Sequence, residues 1–357
     1  MSGLKKILRD IPGVVKLVNN LRGIRSGIRL TGGLIFFAFT GKTSDATHQA
    51  MISVFCATHG RSNDFLSWII GKFRRPYVFD KGSIGVAGEI DSDSMQYAVS
   101  ALREQGYYVL KNKLPSDICD RLLAYATTHP CKLRPMDGDK IGAAIMAPYH
   151  RDAPQAVRYE FLQQDLLDNP DVQHLLADMS LAALAQGYLG ARPVIDIVAL
   201  WWHTAFSDQP DVEAAQYFHF DMDRPKWLKF FIYLTDVEPE NGPHSFVAGS
   251  HRSGDIPSAL LDKGYARLTD EEVAIHFDQK DFIEFSAPRG TIIAEDTRGL
   301  HKGKHVGTGD RLVMQIEFSN CLFGAFYPQP HLGNDVVPQL RERLRQYPDL
   351  YSFVDGR

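Results

Sequence analysis

The stretch YFHFDMD, residues 217–223, alternates between apolar side chains and side chains that can bind metals. Successive side chains point to opposite faces of a β-strand, so His219, Asp221 and Asp223 would share the face opposite the aromatic residues. An ordinary half-buried strand exposes polar groups to water on that face. An imidazole and a carboxylate one residue apart can instead bind one metal ion, so the pattern suggests a metal site that needs a third ligand.

A third ligand and a cation for a second carboxylate follow later in the chain. His301 comes just after a predicted strand that ends at Thr297. Two histidines and one carboxylate on one face of an iron leave its other positions open, as in the non-haem Fe(II) oxygenases. In many of these enzymes 2-oxoglutarate supplies the electrons, and its remote carboxylate needs a cation with two donors. Arg311 begins a predicted strand, and its planar guanidinium offers two parallel hydrogen bonds, which a lysine cannot.

The elements that must position these residues change in type along the chain. Helices are predicted first, over residues 44–76, 95–106, 115–129, 161–169 and 171–190. Short strands separated by turn residues follow, over residues 194–202, 228–237, 244–250, 281–290, 291–297 and 311–319. Several short strands at this spacing favour a sandwich or barrel over a parallel α/β sheet.

Together these motifs resemble the phytanoyl-CoA dioxygenase family of Fe(II)/2-oxoglutarate-dependent oxygenases. The resemblance covers about residues 95–325. The matching motifs are 102-LREQGYYVLKNKLPSD-117, 189-LG-190, the HxD at 219–221, 240-ENGPHSFVAGSHR-252, 290-GTIIAEDTRGLHKG-303 and Arg311. Gly303 departs from the pattern, because some members carry a hydroxyl residue two positions after the distal histidine.

The resemblance implies the fold and the cofactors. We expect an α+β fold with a double-stranded β-helix, or jelly-roll, core, flanking helices and an N-terminal helical extension. Ferrous iron would be held by His219, Asp221 and His301, 2-oxoglutarate would be anchored by Arg311, and O2 would be the oxidant. The implied reaction oxidises a small-molecule, sugar or lipid-linked substrate and releases succinate and CO2.

Two alternatives to an oxygenase remain open at the level of the sequence. One is a non-catalytic jelly-roll binding module that has kept the fold, and the other is a zinc hydrolase that uses the same three ligands. The zinc hydrolase would leave Arg311 without a role. Within the oxygenases, a carboxylate at Asp221 favours hydroxylation, since related halogenases leave that position open for a halide.

Further pocket residues are predicted from the strands around the HxD motif. Lys229, Phe231 and Tyr233 share one face of a strand, and we expect Phe231 to pack against 2-oxoglutarate. The predicted substrate contacts are Trp202, Lys229, Tyr233 and Asp223.

Composition narrows the class of protein and its partners. The 357 residues are 44% hydrophobic and carry a net charge of −4, which does not indicate a nucleic-acid binder. The four cysteines form no CxxC pair, which fits a reducing compartment. The longest apolar stretch, residues 34–39, is too short to span a bilayer. We therefore expect a cytoplasmic protein.

The N-terminal region has an uneven charge. Residues 1–94 are predicted to form a helical extension, followed by the dioxygenase domain over 95–325 and a helical tail over 326–357. The first 29 residues carry seven Lys or Arg and one Asp, with apolar residues at helical spacing that Pro12 interrupts. This stretch is either a solvated helix packed on the body, or a contact with a membrane surface or a lipid-linked substrate.

Overall fold

The computed structural model describes residues 12–134 and 145–354, in which helices surround two facing antiparallel sheets. The helices are α1 (Pro12–Thr40), α2 (Asp45–Thr58), α3 (Arg61–Phe73), α4 (Asp93–Gln105), α5 (Ser116–Thr128), α6 (Gln163–Leu167), α7 (Pro170–Leu176), α8 (Met179–Leu189), α9 (Ser258–Leu261), α10 (Asp270–Ala274) and α11 (Pro338–Gln346). Short 3-10 helices cover Pro239–Asn241, Gln279–Asp281 and Pro348–Tyr351. Across the described ranges, no helix has both the length and the apolar content needed to cross a membrane.

Two antiparallel sheets form the core of the fold. The strands are β1 (Ile84–Gly85), β2 (Gly88–Glu89), β3 (Tyr107–Val109), β4 (Cys131–Arg134), β5 (Met146–Ala147), β6 (Arg158–Glu160), β7 (Val194–Thr204), β8 (Trp227–Tyr233), β9 (His244–Val247), β10 (Phe282–Glu284), β11 (Ile292–Glu295), β12 (His301–Gly303) and β13 (Asp310–Ser319). The larger sheet has the order β3-β11-β8-β13-β7-β6-β4-β5, the smaller has the order β10-β9-β12, and β1 pairs with β2. From β8 onwards the chain passes back and forth between the two larger sheets, so the predicted jelly-roll core is confirmed.

The two faces of the large sheet have different partners. On the outer face, Leu312, Met314 and Ile316 of β13 are fully buried in an apolar cluster with side chains of α4, α5, α7 and α8. On the inner face, Phe231 of β8 belongs to a second cluster with Phe246 of the small sheet. The space between the sheets is therefore apolar at its centre.

Helices α1 to α3 pack against the apolar side of the HxD segment. Phe220 is 1% exposed, and its ring centroid is 5.5 Å from that of Phe55 in α2. His48 of α2 donates from Nε2 to the carbonyl oxygen of Met222 at 2.8 Å. Phe218 lies in the same buried cluster. The apolar side of the alternation therefore packs on the N-terminal helices, which leaves the polar side for the space between the sheets.

One helix boundary differs from that predicted from the sequence, and another lies at the edge of the described residues. Helix α1 is described from Pro12 onwards, so the interruption predicted at this proline stays a prediction. The helix continues through the apolar stretch 34–39. The helix predicted over 171–190 is divided into α7 and α8, because the Asp178 side chain accepts the amide hydrogen of Ser180 and starts a new helix.

Replacing Phe220 with Ala is expected to lower the free energy of unfolding by about 3–5 kcal/mol, because a fully buried ring is lost. The matched control is Phe73→Ala, since Phe73 is 81% exposed and surface substitutions change stability by about 0.5 kcal/mol or less. Urea unfolding followed by circular dichroism measures both losses. Equal losses would show that the cluster beneath the HxD segment does not hold it.

Candidate metal centre and cofactor pocket

The three predicted metal ligands lie together between the two sheets. His219 and His301 form a backbone bridge in which each amide donates to the other residue's carbonyl oxygen, at 3.0 and 2.8 Å. The Nε2 atoms of His219 and His301 are 3.6 and 3.4 Å from the carboxylate oxygens of Asp221. The three ligand atoms all lie within 4.8 Å of one another. One metal ion can therefore be bound by all three residues.

Backbone carbonyl groups fix the orientation of both imidazoles. Nδ1 of His219 is 2.9 Å from the carbonyl oxygen of Tyr217, and Nδ1 of His301 is 3.0 Å from that of Gly299. A carbonyl oxygen only accepts, so each Nδ1 carries a proton and the Nε2 atoms are directed at Asp221. Burial and the neighbouring His301 lower the pKa of His219 well below its ordinary value, so this imidazole is neutral and able to bind a metal.

A buried lysine balances the carboxylates around the ligands. Nζ of Lys229 is 2.6 Å from Oδ2 of Asp221, 3.4 Å from Oε2 of Glu317 and 3.6 Å from Oδ2 of Asp223. Although burial would raise it, Lys229 and the two histidines lower the pKa of Asp221 well below its ordinary value. Asp221 is therefore anionic. Imidazole nitrogens and one anionic carboxylate form a donor set that suits ferrous iron.

A buried arginine lies at the other end of the inner face. Arg311 of β13 is 2% exposed, and its Nη2 donates to Nδ1 of His203 at 2.8 Å. Within the described part of the chain, Nε and Nη1 of Arg311 make no hydrogen bond. Two buried carboxylates that could have paired with Arg311 are engaged elsewhere: Glu295 pairs with His244, and Glu317 pairs with Lys229. Arg311 thus keeps two donors free for an anion, which fits the remote carboxylate of 2-oxoglutarate.

The family model for phytanoyl-CoA dioxygenase (PhyH) matches residues 102–312, which is more than half of the chain. The chain belongs to the phytanoyl-CoA dioxygenase family. Enzymes of this family use Fe(II), 2-oxoglutarate and O2, and the protein is an Fe(II)/2-oxoglutarate-dependent oxygenase of this class. The domain boundaries at residues 94 and 325 stay a prediction.

Several solved structures are similar to this chain. The epimerase SnoN from nogalamycin biosynthesis, described as non-haem and α-ketoglutarate-dependent, is 18% identical over 63% of this chain and 82% of its own, with a TM-score of 0.47. EctD from S. alaskensis in its apo form is 20% identical over 75% and 93%, with a TM-score of 0.47. AviO1 from Streptomyces viridochromogenes Tue57 is 18% identical over 63% and 94%, with a TM-score of 0.39. No curated protein sequence matches the chain significantly.

The departure from the family pattern at Gly303 has a steric reason. A Cβ atom at this position would lie 2.9 Å from Nη2 of Arg311 and 3.4 Å from Cε1 of His203. A hydroxyl residue would therefore displace the Arg311–His203 pair. In this member of the family, His203 occupies the space beside Arg311, and glycine is the residue that fits.

Phe231 and Tyr233 line the path between the metal ligands and Arg311. The ring of Phe231 is 4.5 Å from that of His244, and it lies between Lys229 and Tyr233 along β8. Tyr233 is fully buried beside Arg311, and its hydroxyl accepts the amide hydrogen of His244 at 3.0 Å. The roles predicted for these two residues stay predictions, and Tyr233 lies at the Arg311 end of the strand.

Asp223 lies beside the metal ligands. It accepts a hydrogen bond from the Tyr327 hydroxyl at 2.7 Å, and its other oxygen is the one near Lys229. The substrate contacts predicted for Asp223 and Lys229 stay predictions. In the structure, Lys229 already donates a hydrogen bond to Asp221.

The prediction that Trp202 contacts substrate is wrong. Trp202 pairs with Leu312 in the β7–β13 register, faces the outer cluster and donates from Nε1 to the carbonyl oxygen of Ala126 at 3.1 Å. Strand alternation places Trp201 on the inner face instead, with the Arg158 guanidinium 4.7 Å from its ring centroid. The sequence alone could not show this, because the register with β13 fixes the parity along β7: Arg311 pairs with His203, and Trp201 has the same parity as His203.

A buried histidine and glutamate that were not predicted from the sequence also line the site. Nε2 of His244 is 2.9 Å from Oε1 of Glu295. Burial raises the pKa of Glu295 to about 8, and burial lowers the pKa of His244 well below its ordinary value. A protonated Glu295 therefore donates to a neutral His244. Sequence alone offered no signal, because the two residues lie on different strands of different sheets.

The Glu295–His244 pair makes stability depend on pH. Burial raises the pKa of Glu295 from 4.5 to about 8. The contribution of this group to the free energy of unfolding is therefore fully present below the lower pKa, and it is lost as the pH rises towards the higher one. The expected loss is about 1.4 kcal/mol per pH unit in this window. Glu295→Gln can still donate to His244 but cannot ionise, so the slope should flatten. Urea unfolding at about pH 6 and about pH 8 measures it, and an unchanged slope in the variant would contradict the assignment.

Proposed function

We propose that the protein hydroxylates a small-molecule substrate, with His219, Asp221 and His301 as iron ligands and Arg311 as the anchor of 2-oxoglutarate. The observation that carries the proposal is the buried guanidinium of Arg311, which has two free donors and no carboxylate partner in the described ranges. Burying a cation without an anion is strongly unfavourable. The remote carboxylate of 2-oxoglutarate supplies that anion.

When bound, iron and 2-oxoglutarate supply the oxidation: one atom of O2 enters the substrate as a hydroxyl group, and the other enters succinate, which leaves with CO2. The protein provides the geometry. The carbonyl groups of Tyr217 and Gly299 orient the two imidazoles. Asp221 occupies the position that related halogenases leave open for a halide, which favours hydroxylation.

Lys229 orients the Asp221 carboxylate. Its hydrogen bond to Oδ2 of Asp221 fixes the side chain on the face shared with His219. With one oxygen engaged by an ammonium, Asp221 is set to offer its other oxygen to the metal. Lys229 therefore acts as a positioning residue in this proposal.

The inner face excludes water between the two ends of the pocket. Trp201, Phe231 and Val313 are buried and form one apolar cluster there. Low local polarity strengthens the interaction of Arg311 with a carboxylate and that of the ligands with a metal. The same wall separates the reacting centre from bulk solvent.

The two alternative functions fit these residues less well. A non-catalytic jelly-roll module has no need of three ligand atoms within 4.8 Å of one another. A zinc hydrolase has no use for the free donors of Arg311. Succinate formed from 2-oxoglutarate in the presence of Fe(II) separates both from the oxygenase.

The basic N-terminal stretch supports a further part of the proposal, a contact with a membrane surface or a lipid-linked substrate through residues 1–29. This stretch contains seven Lys or Arg and one Asp. Residues 12–29 form the first part of α1, and residues 1–11 lie outside the described residues. Such a contact should weaken with salt.

Asp221→Ala should abolish iron binding and succinate formation together, because the only anionic ligand of the proposed set is removed. The fold should persist, since the apolar clusters are untouched. The matched control is Asp223→Ala, on the same face two residues later, which should keep its iron. Metal content per chain and succinate release are the measurements. Full iron and turnover in Asp221→Ala would overturn the metal assignment.

Arg311→Ala should leave iron content nearly unchanged and raise the 2-oxoglutarate concentration needed for half-maximal succinate release, because a buried carboxylate loses about 2–5 kcal/mol of pairing. Arg311→Lys should recover part of this, since a point charge lacks the second parallel donor. Arg289→Ala is the control, because Arg289 pairs with Asp120 at the surface. Unchanged 2-oxoglutarate binding in Arg311→Ala would rule out its role as the anchor.

A further inference from the structure

Helix α1 is apolar on two opposite faces. Its inner face contributes Leu30, Leu34 and Phe37 to the cluster with α2 and the HxD segment. The outward apolar residues are Ile24 (62% exposed), Ile28 (70%), Ile35 (57%) and Phe39 (87%). Their spacings of four, seven and four residues align them in one stripe. Exposed apolar residues aligned in this way mark an interaction surface rather than scattered exposure.

A groove of about 1030 Å³ lies next to the C-terminal end of this helix. Its walls include Phe37 of α1, Ile70 of α3 and residues 321–323 and 325–330. Phe73 and Phe326 also line it, and they are 81% and 76% exposed. The groove is therefore bordered by exposed phenylalanine rings, and phenylalanine is one of the residues that membrane-surface helices insert into the interface.

The residues around the stripe and the groove are basic. Residues 23–43 contain three Lys or Arg and no Asp or Glu, and residues 65–79 also contain three Lys or Arg and no Asp or Glu. Arg74 lines the groove, and in the part of the chain that is described its Nε and Nη2 atoms are buried without a hydrogen-bond partner. The partner that complements this surface is therefore both apolar and anionic.

We propose that the docking surface, formed by the outward stripe of α1 together with Phe73 and Phe326, binds an anionic lipid bilayer. The apolar side chains enter the interface, the flanking cations meet the headgroups, and the groove opens towards the acyl chains. A second copy of the chain fits less well, because a two-fold interface would bring this basic surface against itself. The proposal does not depend on the oxygenase reaction.

The test uses the full chain and co-sedimentation with vesicles of phosphatidylcholine alone, or of equal parts phosphatidylcholine and phosphatidylglycerol. We expect binding to the anionic vesicles at low salt and release at high salt. The double variant Phe39→Ser, Phe73→Ser should bind the anionic vesicles at least about tenfold more weakly than the parent, because two exposed rings no longer enter the interface. The control Ile275→Ser changes an apolar residue that is 78% exposed outside the docking surface, and it should bind as the parent does.

Three results would overturn the proposal. The parent could stay in the supernatant with anionic vesicles at low salt. The double variant could bind as tightly as the parent while circular dichroism shows both folded. Light scattering could instead show a dimer that the double variant abolishes, in which case the surface is an interface between copies.

Discussion

Three backbone hydrogen bonds hold the metal ligands in register, and the rest of the site depends on them. His219 and His301 exchange two, and the Asp221 amide donates to the carbonyl oxygen of Thr297 at 2.7 Å. A slip of one residue would exchange the two faces of the HxD segment. Phe220 would then point between the sheets, and Asp221 would enter the apolar cluster on the N-terminal helices. The hydrogen bonds and the cluster thus select the same register.

Charge on the inner face follows from the same constraint. This register places the half-buried Asp221 carboxylate between the sheets, and Lys229 of β8 in the large sheet lies 2.6 Å from it. Away from the site, Arg224 binds Asp196 through two parallel hydrogen bonds of 2.5 and 2.7 Å. Arg311 differs, because its bonded neighbour His203 is an imidazole whose pKa burial and Arg311 itself keep well below the ordinary value. Ion pairing inside the protein thus explains Lys229 and Arg224, and the proposed 2-oxoglutarate carboxylate would explain Arg311.

The strand pattern predicted a sandwich or barrel, and the family resemblance narrowed this to the jelly-roll class, which the structure confirms. Alternation, chain order and residue type can be read from the sequence, and they brought His219, Asp221, His301 and Arg311 into one hypothesis. Lys229 was placed on the correct face for the same reason, but its contact with Asp221 depends on how two segments approach in space. Trp202 was misplaced because parity along β7 can only be counted from its partner strand, where Arg311 fixes His203.

The N-terminal helices connect the metal site with the proposed docking surface, although they lie outside the family match. Helix α1 packs on α2 with its inner face, and α2 contacts the HxD segment through Phe55 and His48. The groove beside α1 is lined by Tyr327, whose hydroxyl donates to Asp223. Asp223 in turn lies 3.6 Å from Lys229. A chain of direct contacts therefore runs from the groove wall to the carboxylate that is proposed to bind iron, so the orientation of the docking surface on a membrane also sets the orientation of the metal site.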